Sequence, residues 1–107
     1  MIYSNPGSDG AVVNFKPRYE NFIGGEWVAP VKGQYMDNIS PINGAVFCEV
    51  PNSSAADVDL AVNAASKAAG AWGKTSATER SNLLLKIADR IEANLDLLAV
   101  AESWDNG

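Results

Sequence analysis

Ser76-Ala-Thr-Glu79-Arg80-Ser-Asn-Leu83-Leu84-Leu85-Lys86-Ile87-Ala88-Asp89-Arg90-Ile91-Glu92-Ala93, continued by Asn94-Leu95-Asp96-Leu97-Leu98-Ala-Val100-Ala-Glu102-Ser-Trp104, decides the fold class. Ser76 and Glu79 have the spacing of a capping box, in which each side chain satisfies a backbone N–H of the other residue. Leu83, Leu84, Ile87, Ala88 and Ile91 recur at helical spacing, so the pattern predicts an amphipathic helix over 76–93. Asn94 is placed to cap a third, shorter helix over 94–104 that carries Leu95, Leu98 and Val100. These two helices are expected to pack through Leu84, Ile87, Ile91, Leu95 and Leu98. Asp105-Asn106-Gly107 reads as a helix exit.

Working back from this block, Ser53-Ser54 and Asp57 predict the start of an earlier helix. Val58, Ala61, Val62, Ala65, Ala68, Ala69 and Trp72 form its apolar stripe, and Gly73 is its expected stop. The stripe makes Trp72 a core residue, and Trp27 and Trp104 read as packing anchors too. Strands precede the helices. Asn21–Val28 alternates around Gly24-Gly25 and predicts a strand with a bulge or tight turn. Ala29–Gly33 connects it to a second strand over Gln34–Ser40. Asn43-Gly44 predicts a two-residue hairpin turn into Ala45–Val50, which Pro51 closes. Residues 1–20, with Pro6, Gly7, Gly10 and Pro17 and no sustained period, read as an extended arm lying along another surface. Residues 21–107 form the remaining unit. The class is α/β, yet an isolated hairpin is only marginally stable, so these strands call for a larger partner.

The chain has 107 residues and a formal charge of −5, from eight Lys and Arg against thirteen Asp and Glu. That balance disfavours a nucleic-acid surface or an anionic membrane as partner. With no apolar signal segment in view, it fits a cytoplasmic protein. Much of the 47% hydrophobic content is alanine, so a core built from this chain alone is thin. There is no histidine, which removes the commonest neutral-pH base. The single cysteine rules out an internal disulfide framework.

Candidate chemistry is correspondingly sparse. Cys48 shares a strand face with Val46 and Val50, next to Glu49, and lacks the electropositive setting that a reactive thiolate needs. It reads as a buried structural cysteine. Gly24-Gly25 is followed by Glu26-Trp27 rather than by a helix, which fails the pattern of a dinucleotide loop. Glu79 serves a cap. Asp89, Glu92 and Asp96 lie among Lys86 and Arg90 as a solvated charged surface rather than an acid dyad.

Four segments in fixed order carry a more specific message: Tyr19-Glu-Asn-Phe-Ile-Gly-Gly-Glu-Trp-Val28, Ser40-Pro-Ile-Asn-Gly44, Cys48-Glu-Val-Pro51, and the helical block ending Ala101-Glu-Ser-Trp-Asp-Asn-Gly107. Together they resemble the N-terminal segment of an aldehyde dehydrogenase. The resemblance covers nearly all of 19–107 and is nearest to the bacterial branch acting on acetaldehyde and other short aliphatic aldehydes. It implies a parent chain several times longer and places 21–107 in the N-terminal portion of its Rossmann-like NAD-binding domain. It further implies NAD or NADP as cofactor, the rest of the enzyme chain as partner, and a homo-oligomer, dimer or tetramer.

The family reaction uses a cysteine thiolate, hydride transfer to the nicotinamide and a glutamate-assisted hydrolysis, with an oxyanion held by an asparagine. No catalytic or cofactor-binding residue of that set falls on this chain. Cys48 matches a non-catalytic strand position. Some family members bind a monovalent cation, and the matching positions are the backbone carbonyls of Asn38 or Ile39 and the carboxylate of Asp105. Hard oxygen ligands suit Na⁺ or K⁺, although the shell is incomplete. The plainer reading leaves Asp105 bonded within its own turn. Two functional classes remain: an inactive segment of the dehydrogenase, or a free-standing non-catalytic module that docks on a full-length relative.

Overall fold

The computed structural model describes residues 3–107; Met1 and Ile2, the first residues of the expected arm, lie outside the described residues. In chain order the elements are β1 (Asn21–Ile23), β2 (Glu26–Val28), β3 (Tyr35–Ile39), β4 (Val46–Pro51), α1 (Ala55–Gly73), α2 (Ala77–Ala93) and α3 (Leu95–Asn106). The strands form two antiparallel pairs, β1 with β2 and β3 with β4, followed by the helices, as the α/β reading expects. The radius of gyration is 17.4 Å, against about 13 Å for a compact domain of this length. The chain is spread out rather than wrapped round one core.

The alternation over Asn21–Val28 resolves into two strands about a tight turn. Gly24 and Gly25 have φ of +63° and +83°, a pair of left-handed positions that suits a two-residue hairpin. Phe22 then pairs with Trp27, their rings 4.9 Å apart. Contrary to the reading of Trp27 as a packing anchor, it is 69% exposed.

The expected two-residue Asn43-Gly44 turn is not formed. Such a turn needs positive φ at both positions, and only Gly44 has it. Pro41 follows Ser40 directly, fixes its own φ negative and offers no N–H. The connection therefore runs over four residues, 41–44, closed by Ser40 N–H to the Ala45 carbonyl at 3.0 Å and Gly44 N–H to the Ser40 carbonyl at 2.9 Å. Pro51 closes the strand as expected, as the last residue of β4, where it pairs with Tyr35.

Helix signals are read correctly at their starts. Ser76 Oγ accepts from Glu79 N–H at 3.1 Å, and Glu79 Oε2 accepts from Ser76 N–H at 3.0 Å. α1 ends at Gly73 as expected, and Lys74 and Thr75 N–H then close on the Ala71 and Trp72 carbonyls. Asn94 does not cap α3 with its side chain; Nδ2 instead donates to the Arg90 carbonyl at 2.9 Å and finishes α2.

The core is thin, as the alanine content foretells. Among the described residues the buried hydrophobic side chains are Val13, Cys48 and Val100. The Trp72 core assignment does not hold among the described residues; Trp72 is half exposed, with only the Arg80 guanidinium over its ring. Leu84 and Leu95 are exposed rather than packed between α2 and α3. Ile87, Ile91 and Leu98 instead share an open groove with Leu83 and Leu97.

Candidate functional site at the meeting of β3 and α3

The last turn of a helix carries carbonyls with no partner inside the helix. At the end of α3, Ser40 supplies one. Its hydroxyl donates to the Trp104 carbonyl at 2.7 Å and accepts from Ile42 N–H at 3.3 Å, and the residue is completely buried. One residue further on, Asp105 Oδ1 accepts from Asn38 Nδ2 at 2.8 Å, joining positions 67 apart in sequence. Cys48 is opposite Asn38 in the β3–β4 ladder, where the register shifts between Asn38 and Ile39.

Of the three residues singled out for a cation, Asn38 and Asp105 meet directly, and Ile39 is the next residue of the same strand. Their contact is a hydrogen bond from an amide N–H to a carboxylate. That bond uses the Asn38 side chain, whereas the oxygens expected from Asn38 or Ile39 are backbone carbonyls. Among the described residues no group of three or more His, Cys, Asp or Glu is placed to hold a metal ion. The residues at hand thus supply one carboxylate and nearby backbone oxygens, not a finished shell.

Cys48 is buried, and desolvation pushes its thiol pKa up. A hydrogen bond with Asn38 works against this rise, and the charge of Asp105 adds to it. The thiolate is disfavoured, so no activated nucleophile is built here. A cavity lies beside it, lined by Phe15, Tyr19, Asn38, Phe47, Cys48 and Asp105 among others.

Among the described residues the Gly24-Gly25 pair does not have the setting of a dinucleotide loop. Gly24 and Gly25 join two strands instead of leading into a helix. The N-termini of the two long helices, where a phosphate would sit, are taken by internal carboxylates. Glu79 occupies that of α2. Asp57 occupies that of α1, with Oδ2 accepting from Ser54 N–H at 2.8 Å and from the Ser54 hydroxyl at 3.2 Å.

Two positions carry more than their sequence signals suggested. Asp57 is not only a cap: its Oδ1 accepts from Val31 N–H at 2.8 Å, tying the turn before β3 to α1. The Ser54 and Val31 backbone bonds hold its carboxyl below the usual carboxylate range, with burial acting in the opposite direction. Ser40 gave no signal beyond standing before Pro41.

The aldehyde dehydrogenase family model matches residues 27–107. The chain is 66% identical over 107 residues to an acetaldehyde dehydrogenase of Pseudomonas aeruginosa, a match covering 100% of this chain and 21% of the relative. It is 63% identical over 107 residues to a long-chain-aldehyde dehydrogenase of an Acinetobacter species, with the same coverage of 100% and 21%. An NAD-dependent aldehyde dehydrogenase of Sinorhizobium meliloti superposes with a TM-score of 0.78 at 39% identity, covering 95% of this chain and 21% of that one. The chain spans about one fifth of the length of the curated relatives it matches. No helix of the described residues is long and apolar enough to cross a membrane.

Proposed function

Since the chain belongs to the aldehyde dehydrogenase family, we propose that it forms the N-terminal part of an NAD(P)-dependent enzyme that oxidises short aliphatic aldehydes such as acetaldehyde to carboxylic acids. In this reading residues 1–20 are an arm and residues 21–107 begin the NAD-binding domain. The segment catalyses nothing by itself. The thiol, the glutamate and the cofactor loop that perform the reaction come from the rest of the enzyme, a cytoplasmic homo-oligomer.

The observation that carries the reading is identity along the whole segment with relatives five times its length. The exposed apolar faces of α1 and α2 fit it, because surface of that kind needs covering. The same faces would serve a free-standing module docking on a full-length relative. An intact mass of the protein purified from its source separates the two.

Relatives named for acetaldehyde and for long-chain aldehydes differ by three points of identity to this chain, 66% against 63%. The deciding experiment is NADH production by the whole protein from acetaldehyde and from aldehydes of increasing length. The highest kcat/KM is expected at the short end; a steady rise towards long chains overturns the short-aldehyde assignment. The 107-residue chain assayed alone is expected to give no NADH and no saturable NAD binding, and either signal would overturn its non-catalytic role.

A Na⁺ or K⁺ ion at Asn38, Ile39 and Asp105 is part of the same proposal. It is supported by the closeness of Asn38 to Asp105, and its ligands would be the backbone carbonyl of Asn38 or Ile39 together with the Asp105 carboxylate. Asp105→Asn in the whole enzyme should then abolish any stabilisation by K⁺ over a large organic cation. Equal melting temperatures of the unsubstituted enzyme in both salts would remove the ion from the reading.

A further inference from the structure

The arm does more than trail across the surface. Pro17 to Tyr19 join β4 as a short parallel addition, with Tyr19 N–H donating to the Glu49 carbonyl at 3.0 Å and Glu49 N–H to the Pro17 carbonyl at 2.9 Å. Upstream, Phe15 sets its ring edge-on to Phe47 with centroids 4.7 Å apart, and Val13 is buried. Tyr19 folds back so that its hydroxyl accepts from Lys16 N–H at 3.0 Å. Phe15 and Tyr19 both line the cavity that contains Cys48, Asn38 and Asp105.

Arg18 fastens this segment to two strands at once. Its Nη2 lies 2.7 Å from Glu49 Oε2 on β4, and its Nε donates to the same oxygen at 2.8 Å. The guanidinium carbon stands 3.8 Å from the centre of the Tyr35 ring on β3. The Tyr35 hydroxyl in turn donates to Glu20 Oε2 at 2.6 Å, so the residue after Tyr19 is held as well.

We propose that residues 13–19 are a strap, buckled by Arg18, that walls one side of the cavity beside Cys48, Asn38 and Asp105, and that undoing the buckle widens access to Cys48. An exposed ion pair by itself contributes little. Here the pair sits at the one point where the arm's backbone bonds to β4 and its guanidinium stacks on β3. Loss of Arg18 therefore frees the two backbone bonds at Glu49 together with the Phe15 and Tyr19 walls. A segment held by so few bonds is of the kind that opens locally without global unfolding. The inference does not depend on which aldehyde the whole protein oxidises.

The test uses the whole protein and reads two quantities, the alkylation rate of the Cys48-containing peptide and amide exchange at Tyr19 and Glu49. R18E sets like charges against each other at Glu49 and should raise both readouts by about tenfold, and the R18E/E49R pair should restore much of the loss. Should R18E fail to fold, R18K keeps the charge but loses the forked contact and the flat stacking, and a smaller rise in both readouts is expected. Unchanged Cys48 alkylation in a folded R18E or R18K protein overturns the strap as a cover for Cys48. Faster alkylation with unchanged exchange at Tyr19 and Glu49 overturns Arg18 as its buckle.

Discussion

Where α3 ends against β3, Ser40, Cys48 and Val100 are buried, and hydrogen bonds link residues more than sixty positions apart. Along α2, from Ala77 to Ala93, no residue is buried, although Leu83, Ile87 and Ile91 make a well-formed apolar stripe. The first region is held by tertiary contacts. The second is held by its own capping box and helical periodicity, with the apolar stripe left open. Forming a helix and burying its face are separate events, supported by different interactions. The α3 corner has completed both within this chain, whereas α2 has completed only the first.

The sharpest way to break that contrast is to put a charge on the open stripe in two contexts. Ile87 is half exposed here, so Ile87→Asp should change the stability of the 107-residue chain little. In the whole enzyme the stripe is expected to be covered, and an unpaired carboxylate there should cost about 3 kcal/mol or more. Urea denaturation of both forms is the measurement. Equal tolerance in the two contexts would mean that α2 stays uncovered in the enzyme.

A second substitution attacks the completed corner. Ser40→Ala removes the donor to the Trp104 carbonyl and the acceptor for Ile42 N–H, in a fully buried place. A loss of about 1–3 kcal/mol is expected, with faster amide exchange in the last turn of α3. If exchange in α3 does not change, Ser40 is not what anchors the helix end.

What was legible in the sequence divides along the same line. Ser76 with Glu79 and Ser54 with Asp57 announced two helix starts because a cap is encoded within four residues. Gly24-Gly25 announced a turn through its freedom of φ. Burial was not legible in this way. Trp72 and Leu84 sit on correct helical stripes and are still exposed, because a stripe says which side wants cover and not what supplies it. The Asn43-Gly44 turn failed for a local reason, the neighbouring Pro41. Asn38 and Asp105 were paired only through the family resemblance, since nothing in two short polar stretches signals a contact across the chain. Ser40 was invisible for the same reason.

Asp57 offers a pH-dependent test of the tie between α1 and the Pro30–Gly33 turn. Its folded pKa is depressed, so the unfolded state binds its proton more readily. The stabilisation is then present above the usual carboxylate pKa and fades as pH falls through that value towards the lower folded one. At neutral pH it is complete. Acid titration of the melting temperature should show a drop that Asp57→Asn flattens, and amide exchange at Val31 should rise over the same interval. A Val31 amide that stays protected in acid would show that another group holds the turn.

The smallest effect expected is also the most discriminating between local and tertiary stability. Ser76→Ala removes the hydroxyl that accepts from Glu79 N–H at the start of α2. Losing such a cap costs about 1 kcal/mol, and the bond lies wholly within one helical turn. The cost should therefore be the same in the 107-residue chain and in the whole enzyme, unlike that of Ile87→Asp. Denaturation of the two forms side by side decides the matter. A cap that matters only in the whole enzyme would mean that the start of α2 is set by packing against the remainder of the protein, and the contrast between a locally held α2 and a tertiary corner at α3 would dissolve.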